Sequence, residues 1–319
     1  FGTVYRARHV VLGTEVALKV LSPQHSKQPG MVERFLREAQ TAAGIGNPHI
    51  VGVSDAGVTS EGMPFLAMEL LEGEDLEVRL KRQGAMPTFE AIDVMLQLLE
   101  GIGAAHAARI VHRDLKPGNV FLTRGPDGQP LVKLLDFGIS KVFEPGRVAS
   151  LTQTGAVLGT PSYMAPKQLH DTRGVDHRAD LYAAGAILFE ALTGKLPYQS
   201  ETFADLMARV QGRAPTRLDM LLPSAPPPLV SLLDRALEPD PARRFQSAAE
   251  MRDALRPVRH LYGGTPAGFP SYALPAMAPI PSTGGPAPSP ITPSPAHPSA
   301  PYAPPYPTPG PTPPPSWGA

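Results

Sequence analysis

The segment IVHRDLKPGNVFL, residues 110–122, holds the chain's densest chemistry, and LLDFG, residues 134–138, follows it. Asp114, Asn119 and Asp136 are oxygen-bearing side chains in loops flanked by apolar, strand-like runs. Asn with Asp suits a hard cation such as Mg²⁺, whose shell substrate phosphates complete. Lys116 lies two residues past Asp114, where it can meet a travelling negative charge. An isolated HRD or DFG triplet says little. The two in order, at this spacing, are a strong signal.

Such groups need elements to hold them. "GTVYRARHV" and "TEVALKVL" read as strands, with Gly13-Thr14 as the turn between. "GMVERFLREAQTAAG" reads as a helix whose apolar Met31, Val32, Phe35, Leu36 and Ala39 share one face. "HIVGVSDAGV" and "MPFLAMELL" return to strand character. After Gly73 the chain turns mostly helical. Residues 88–108 have helix spacing through Ile92, Met95, Leu96, Leu99 and Ile102. "VFLTRGPDGQPLVKLLDFG" reads as two short strands around a Pro-Asp-Gly turn. "DLYAAGAILFEALTG" is apolar on nearly every side, so it reads as a buried central helix stopped by Gly194 and Pro197. "FADLMARV" places Phe203, Leu206, Met207 and Val210 at helical spacing. The last helix opens on a capping box, Ser247-Ala248-Ala249-Glu250, and is expected to end before Pro257. The pattern implies an α+β fold of two lobes, a strand-rich one over about 1–72 and a helical one over about 73–256. A cleft between lobes is the default ligand site.

Composition narrows the partners. The 319 residues carry 29 acidic and 29 basic side chains, so no global field draws the chain to nucleic acid or an anionic membrane. With no cysteine, disulfides, thiol catalysis and Cys-type metal sites are excluded. No apolar run reaches the length of a membrane span and no signal peptide is visible. The expected location is cytoplasmic, with any membrane anchor supplied by sequence outside this chain. Of the 40 prolines, 20 fall in 266–319, and no Asp, Glu, Lys or Arg follows Leu261. Residues 257–319 therefore read as a disordered, Pro-rich spacer that cannot bury enough surface to offset its ordering entropy. "PSPITPSPAHP" and "PYAPPYPTPGP" also suit the aromatic grooves of proline-recognising domains.

The ordered motifs, from Phe1 to about Leu255, resemble a eukaryotic-type (Hanks-type) serine/threonine protein kinase, most like the bacterial members. The resemblance implies the bilobal kinase fold, ATP and Mg²⁺ (or Mn²⁺) as cofactors, and transfer of phosphoryl to protein Ser or Thr. "FGTVYRAR" resembles the end of the Gly-rich loop, so the chain begins inside that motif with Gly2 as its last glycine. Val4 would lie over the adenine. "VALK" would supply Ala17 to the nucleotide site and Lys19 to the α- and β-phosphates, with Glu38 as the lysine's ion-pair partner. In "AMELLEGEDL", Met68 would be the gatekeeper, Glu69 and Leu71 would offer backbone bonds to adenine, and Asp75 would reach the ribose. Asp114 would be the catalytic base and Lys116 would touch the γ-phosphate. Asn119 and Asp136 would hold metal, and Asp180 would brace the catalytic loop. Arg113 implies switching by loop phosphorylation, with Thr152 and Thr154 as the phosphosites. A homodimer through the strand lobe is also implied by resemblance.

One residue departs from the pattern. "GTPSYMAPKQL" carries Lys167 where the family has Glu. By spacing, that Glu would pair with Arg244 in "DPARR". Two cations buried together would cost several kcal/mol. Lys167 would then shed its proton, at about 1.4 kcal/mol per pKa unit, or snorkel outward and leave Arg244 unpaired. Glu250 is a poor substitute, because the capping box occupies it. The readings are an active kinase with a weakened anchor, a nucleotide-binding scaffold of the pseudokinase class, or a fragment. Intact Lys19, Glu38, Asp114, Asn119 and Asp136 favour the first.

Overall fold

The computed structural model describes residues 2–22, 30–136, 160–170 and 175–263. The chain divides into two units, Phe1–Leu274 and Pro275–Ala319, and every described residue lies in the first.

Strands β1 (Gly2–Arg8), β2 (Glu15–Leu21), β3 (Val53–Val58) and β4 (Pro64–Glu69) form an antiparallel sheet in the order β1-β2-β4-β3. Gly13, at φ 69°, turns the β1–β2 hairpin in a conformation that glycine tolerates best. The register sets Val4 opposite Lys19 and Ala17 opposite Met68. Helix α1 (Met31–Ala43) lays Met31, Phe35 and Ala39 against this sheet, packed with Leu21 and Leu66. The expected apolar face is the buried one.

A second sheet, β5 (Glu74–Asp75), β6 (Val120–Arg124) and β7 (Pro130–Leu134), sits beside helices α2 (Leu76–Gln83) and α3 (Thr88–Ala107). A parallel bridge, Ile50 to Leu134, ties the segment before β3 to the end of β7. The helical lobe continues through α4 (Pro166–His170), α5 (Arg178–Thr193), α6 (Phe203–Gly212), α7 (Leu218–Leu221), α8 (Pro227–Ala236) and α9 (Ala248–His260). Nearly every residue of α5 is buried, as its all-round apolar sequence requires. A Cβ at Gly185 would stand 2.8 Å from that of Ala236, so this glycine allows α5 and α8 to touch. Fully burying a side chain such as Leu188 or Phe189 contributes about 1.5–3 kcal/mol each. Gly194, left-handed at φ 69°, ends α5 as expected.

Helix α9 corrects one expectation. It does not end before Pro257; it runs through it to His260. Proline forfeits one intrahelical bond, but Val258 beyond it is buried, and Arg259 donates to both carboxylate oxygens of Asp93 on α3 at 2.6 and 3.1 Å. Tertiary packing overrides the local break. Among the described residues, no helix is long and apolar enough to cross a membrane.

Candidate active site

The loop from Ile110 to Asn119 runs out of α3 and closes in a 3₁₀ turn, Pro117–Asn119, at the start of β6. Asp180, on the first turn of α5 and 1% exposed, holds this loop from below. Its Oδ2 accepts from the His112 amide at 2.8 Å and its Oδ1 from the Arg113 amide at 2.9 Å. His106 Nε2 donates to the same carboxylate at 2.8 Å. His112 Nε2 contacts the Leu135 carbonyl at 2.9 Å, so it carries the proton. Nδ1 is then the acceptor facing the Asp114 amide at 3.3 Å. The Leu135 amide donates to the Asn119 carbonyl at 2.9 Å. These bonds join the Asp114 loop to the strand end that carries Asp136. Arg113 and Asp136 both take left-handed backbones, at φ 61° and 50°. Such conformations cost about 1 kcal/mol or more each and persist where the surroundings over-determine them.

Across the cleft, Lys19 projects from β2, 9% exposed, and its Nζ meets Asp136 Oδ1 at 2.5 Å. Lys116 Nζ lies 3.4 Å from Asp114 Oδ2. Asn119 Nδ2 donates to the Asp114 carbonyl at 2.8 Å and stands 3.5 Å from Oδ2. Two Lys–Asp pairs and one carboxamide therefore share one patch between the lobes. Above it, Ala17, Val51 and Met68 form a buried apolar cluster, with Leu71 and Leu135 packed on it. Val4, on β1, is 55% exposed. A Cβ on Gly2 would stand 2.6 Å from the Val20 carbonyl, so only glycine fits that close strand approach.

A Protein kinase domain family matches residues 1–255. The chain belongs to the protein kinase family. It is 39% identical over 285 residues to Serine/threonine-protein kinase pkn2 of Myxococcus xanthus, covering 89% of this chain and 34% of that protein. It is 38% identical over 264 residues to Serine/threonine-protein kinase PknA of Mycobacterium tuberculosis, covering 81% of this chain and 58% of that one. The chain thus spans about a third to just under three fifths of these relatives' lengths. Among solved structures, the PknI kinase domain of Mycobacterium tuberculosis matches at TM-score 0.63 and 29% identity, over 81% of this chain and 90% of that one. Rad53 1–466 in complex with AMP-PNP matches at TM-score 0.65 and 24% identity, over 81% and 62%, and attests the fold. The two-lobed fold and the bacterial serine/threonine kinase type follow from this membership, and the family uses ATP with a divalent metal ion.

The kinase's residues fit that ligand. Asn119 spends Nδ2 on the Asp114 carbonyl, so Oδ1 is the atom that would take a cation. Asp136 is part-exposed while Lys19 beside it is nearly covered, so the carboxylate is the more accessible of the pair. Glu38 lies on α1, and its side chain falls outside the described residues, as do Thr152 and Thr154. Arg113 Nε is buried with no hydrogen-bond partner.

Some functional contacts escaped the sequence. Val51 and Leu135 join the apolar cluster, and only the position of Leu135 next to Asp136 hinted at it. Glu69 uses its side chain as well as its backbone: Oε1 accepts from the Gly52 amide and from Lys133 Nζ, both at 2.6 Å. Asp75 caps α2 by accepting from the Val78 amide at 2.9 Å. Tyr163 donates to Glu190 Oε2 at 2.6 Å.

Lys167 stands exposed on α4. Arg244 is 1% exposed, yet it is not left unpaired. Its Nε donates to the Glu238 carbonyl at 2.5 Å, Nη2 to Pro239 at 2.8 Å and Nη1 to Arg178 at 3.4 Å. The guanidinium also lies 4.9 Å over the Tyr182 ring. Backbone carbonyls thus stand where the family's carboxylate would, and Lys167 lies outward, one of the two outcomes the sequence offered. Burial still disfavours the charge and lowers the Arg244 pKa to about 10. Glu250 is occupied, as anticipated. It accepts from the Gln246 amide at 2.7 Å and pairs with Arg235. Ser247 Oγ completes the cap by accepting from the Glu250 amide at 3.0 Å.

Proposed function

We propose that this kinase domain transfers the γ-phosphoryl group of Mg²⁺-bound ATP to Ser or Thr hydroxyls of protein substrates. The convergence of Lys19–Asp136 and Lys116–Asp114 on one cleft, with Asn119 between, carries the reading. Lys19 has three N–H donors, so it can keep Asp136 and take phosphate oxygens. Asn119 and Asp136 would hold Mg²⁺, which neutralises charge on the phosphates when bound. Ala17, Met68 and Leu71 would enclose the adenine from the strand lobe, with Val4 above. The Glu69 and Leu71 backbone would meet the base edge, and Asp75 the ribose.

Asp114 orients the attacking hydroxyl by accepting its hydrogen bond. It takes the proton as the Ser or Thr oxygen bonds to phosphorus and the bond to the β-phosphate oxygen breaks. Lys116 offsets the charge that develops on the transferring group. The lone buried Nε of Arg113 suits a phosphate on Thr152 or Thr154, which would order the loop by charge-assisted bonds.

Radiolabelled ATP tests the assignment. Asp114→Asn is expected to lower kcat by about 10²–10⁴-fold with the melting temperature kept. Label transfer unaffected by that change would refute it. Mass spectrometry is expected to find phosphate on Thr152 or Thr154 in the active chain and none in the Asp114→Asn protein.

A further inference from the structure

Arg244 is the largest of the side chains under 2% exposed, and among the described residues no carboxylate bonds to its guanidinium. Its three bonds reach backbone carbonyls, which are dipoles and leave the net charge uncompensated. A guanidinium has five N–H donors, so three bonds leave donors over. Beside Arg244 lies a small cleft of about 20 Å³, walled by Lys167, Gln168, Val175, Asp176 and Pro241. That volume holds one water-sized body. Asp176 is the one carboxylate on the wall, and Arg178 already claims it. Arg178 Nε contacts both its oxygens at 3.1 Å, and Nη2 contacts Oδ2 at 2.6 Å. Asp240, which acts on Arg244 through space, turns one carboxylate oxygen to the Ala242 amide at 2.9 Å. The cleft is therefore faced by two cations whose charges have no ion-pair partner among the described residues, one buried and one at the rim.

We propose that this cleft binds a monatomic anion of chloride size, which bridges the Arg244 guanidinium and the Lys167 ammonium. The anion supplies in trans the negative charge that position 167 lacks. Its seat bears on the catalytic loop through Gln168, which lines the cleft and donates from Nε2 to the Arg113 carbonyl at 2.8 Å. Lys167 then has a use that its exposure alone does not give it, as the movable half of the anion's clamp. The cleft's volume sets the selectivity: a single halide ion fits, and gluconate does not.

The test is thermal unfolding of the intact chain at fixed ionic strength, with sodium gluconate exchanged for chloride. The stabilisation is expected to saturate, and at ten times the anion's dissociation constant it amounts to about 3–5 °C. Lys167→Glu is expected to melt higher than the parent in gluconate and to lose the chloride response, because its carboxylate fills the anion's place. Lys167→Gln is expected to keep the fold and weaken the response several-fold. Crystals soaked in bromide are expected to show an anomalous peak beside Arg244. Equal melting temperatures in chloride and gluconate would overturn the proposal and assign the cleft to water. So would an undiminished chloride response in Lys167→Glu. None of these readouts uses phosphoryl transfer, so their failure would leave the kinase assignment standing.

Discussion

The site's charge balance is set residue by residue. Lys19 is nearly buried, and Asp136, 2.5 Å away, sets the opposite charge beside it. Asp114, Lys116 and Asn119 sit within five positions of one another, so the sequence displayed them openly. Glu190 shows the limit of such reading. Nothing local marks it, yet it is half-buried on α5, and burial raises its carboxyl above the ordinary range. The Tyr163 hydroxyl opposes that shift by donating to the carboxylate, and burial in turn pushes the Tyr163 phenol up. A carboxyl whose folded pKa is raised contributes most below its unfolded value and loses that contribution as pH climbs through the folded one. The hydroxyl limits the loss. Tyr163→Phe is therefore expected to destabilise by about 1.5–3 kcal/mol at pH 8, and by less at pH 5, because Glu190 gains protons as pH falls. Urea unfolding at the two pH values checks this, and an equal loss at both would show that Glu190 is not the group involved.

At the scale of elements, legibility followed periodicity. The apolar face of α1, the buried α5 and the Pro-Asp-Gly turn between β6 and β7 were visible because spacing alone specifies them. Bonds between elements distant in sequence were not. Glu69 to Lys133 spans 64 residues, and the reach of Asp180 to the Arg113 amide spans 67. The extension of α9 through Pro257 was hidden for the same reason, since its compensation comes from Asp93 on α3. Asp180 is where such a long-range bond matters most. Its two oxygens accept from two loop amides and from His106, and none of those donors faces water easily. Asp180→Asn turns an amide NH₂ toward at least one of them. The expected cost is about 1–3 kcal/mol of stability, with a fall in kcat from the displaced loop and little change in the ATP KM. Steady-state kinetics with calorimetry tests it. A melting temperature equal to the parent's would mean that the loop holds itself.

Over the whole molecule, the helical lobe depends on how its last helix is fastened. Helix α9 packs along α3, buries Met251, Leu255 and Val258, and locks to Asp93 through Arg259 at a point beyond the proline that the sequence suggested as the end. Residues after Gly263 carry no charge other than what histidine can acquire, and they are rich in proline, so composition gives them no core to join. The two facts separate in a truncation pair. A chain ending at Gly263 is expected to melt within about 1 °C of the chain ending at Ala319, surface-like in its effect. A chain ending at Arg256 loses the burial of Val258 and the Arg259–Asp93 fork, and is expected to melt about 5–10 °C lower. If both truncations melt alike, then either the helix beyond Pro257 contributes nothing or the proline-rich segment contributes as much as it does. Arg259→Ala in the longer chain tells these apart, because only a fastened α9 is weakened by it.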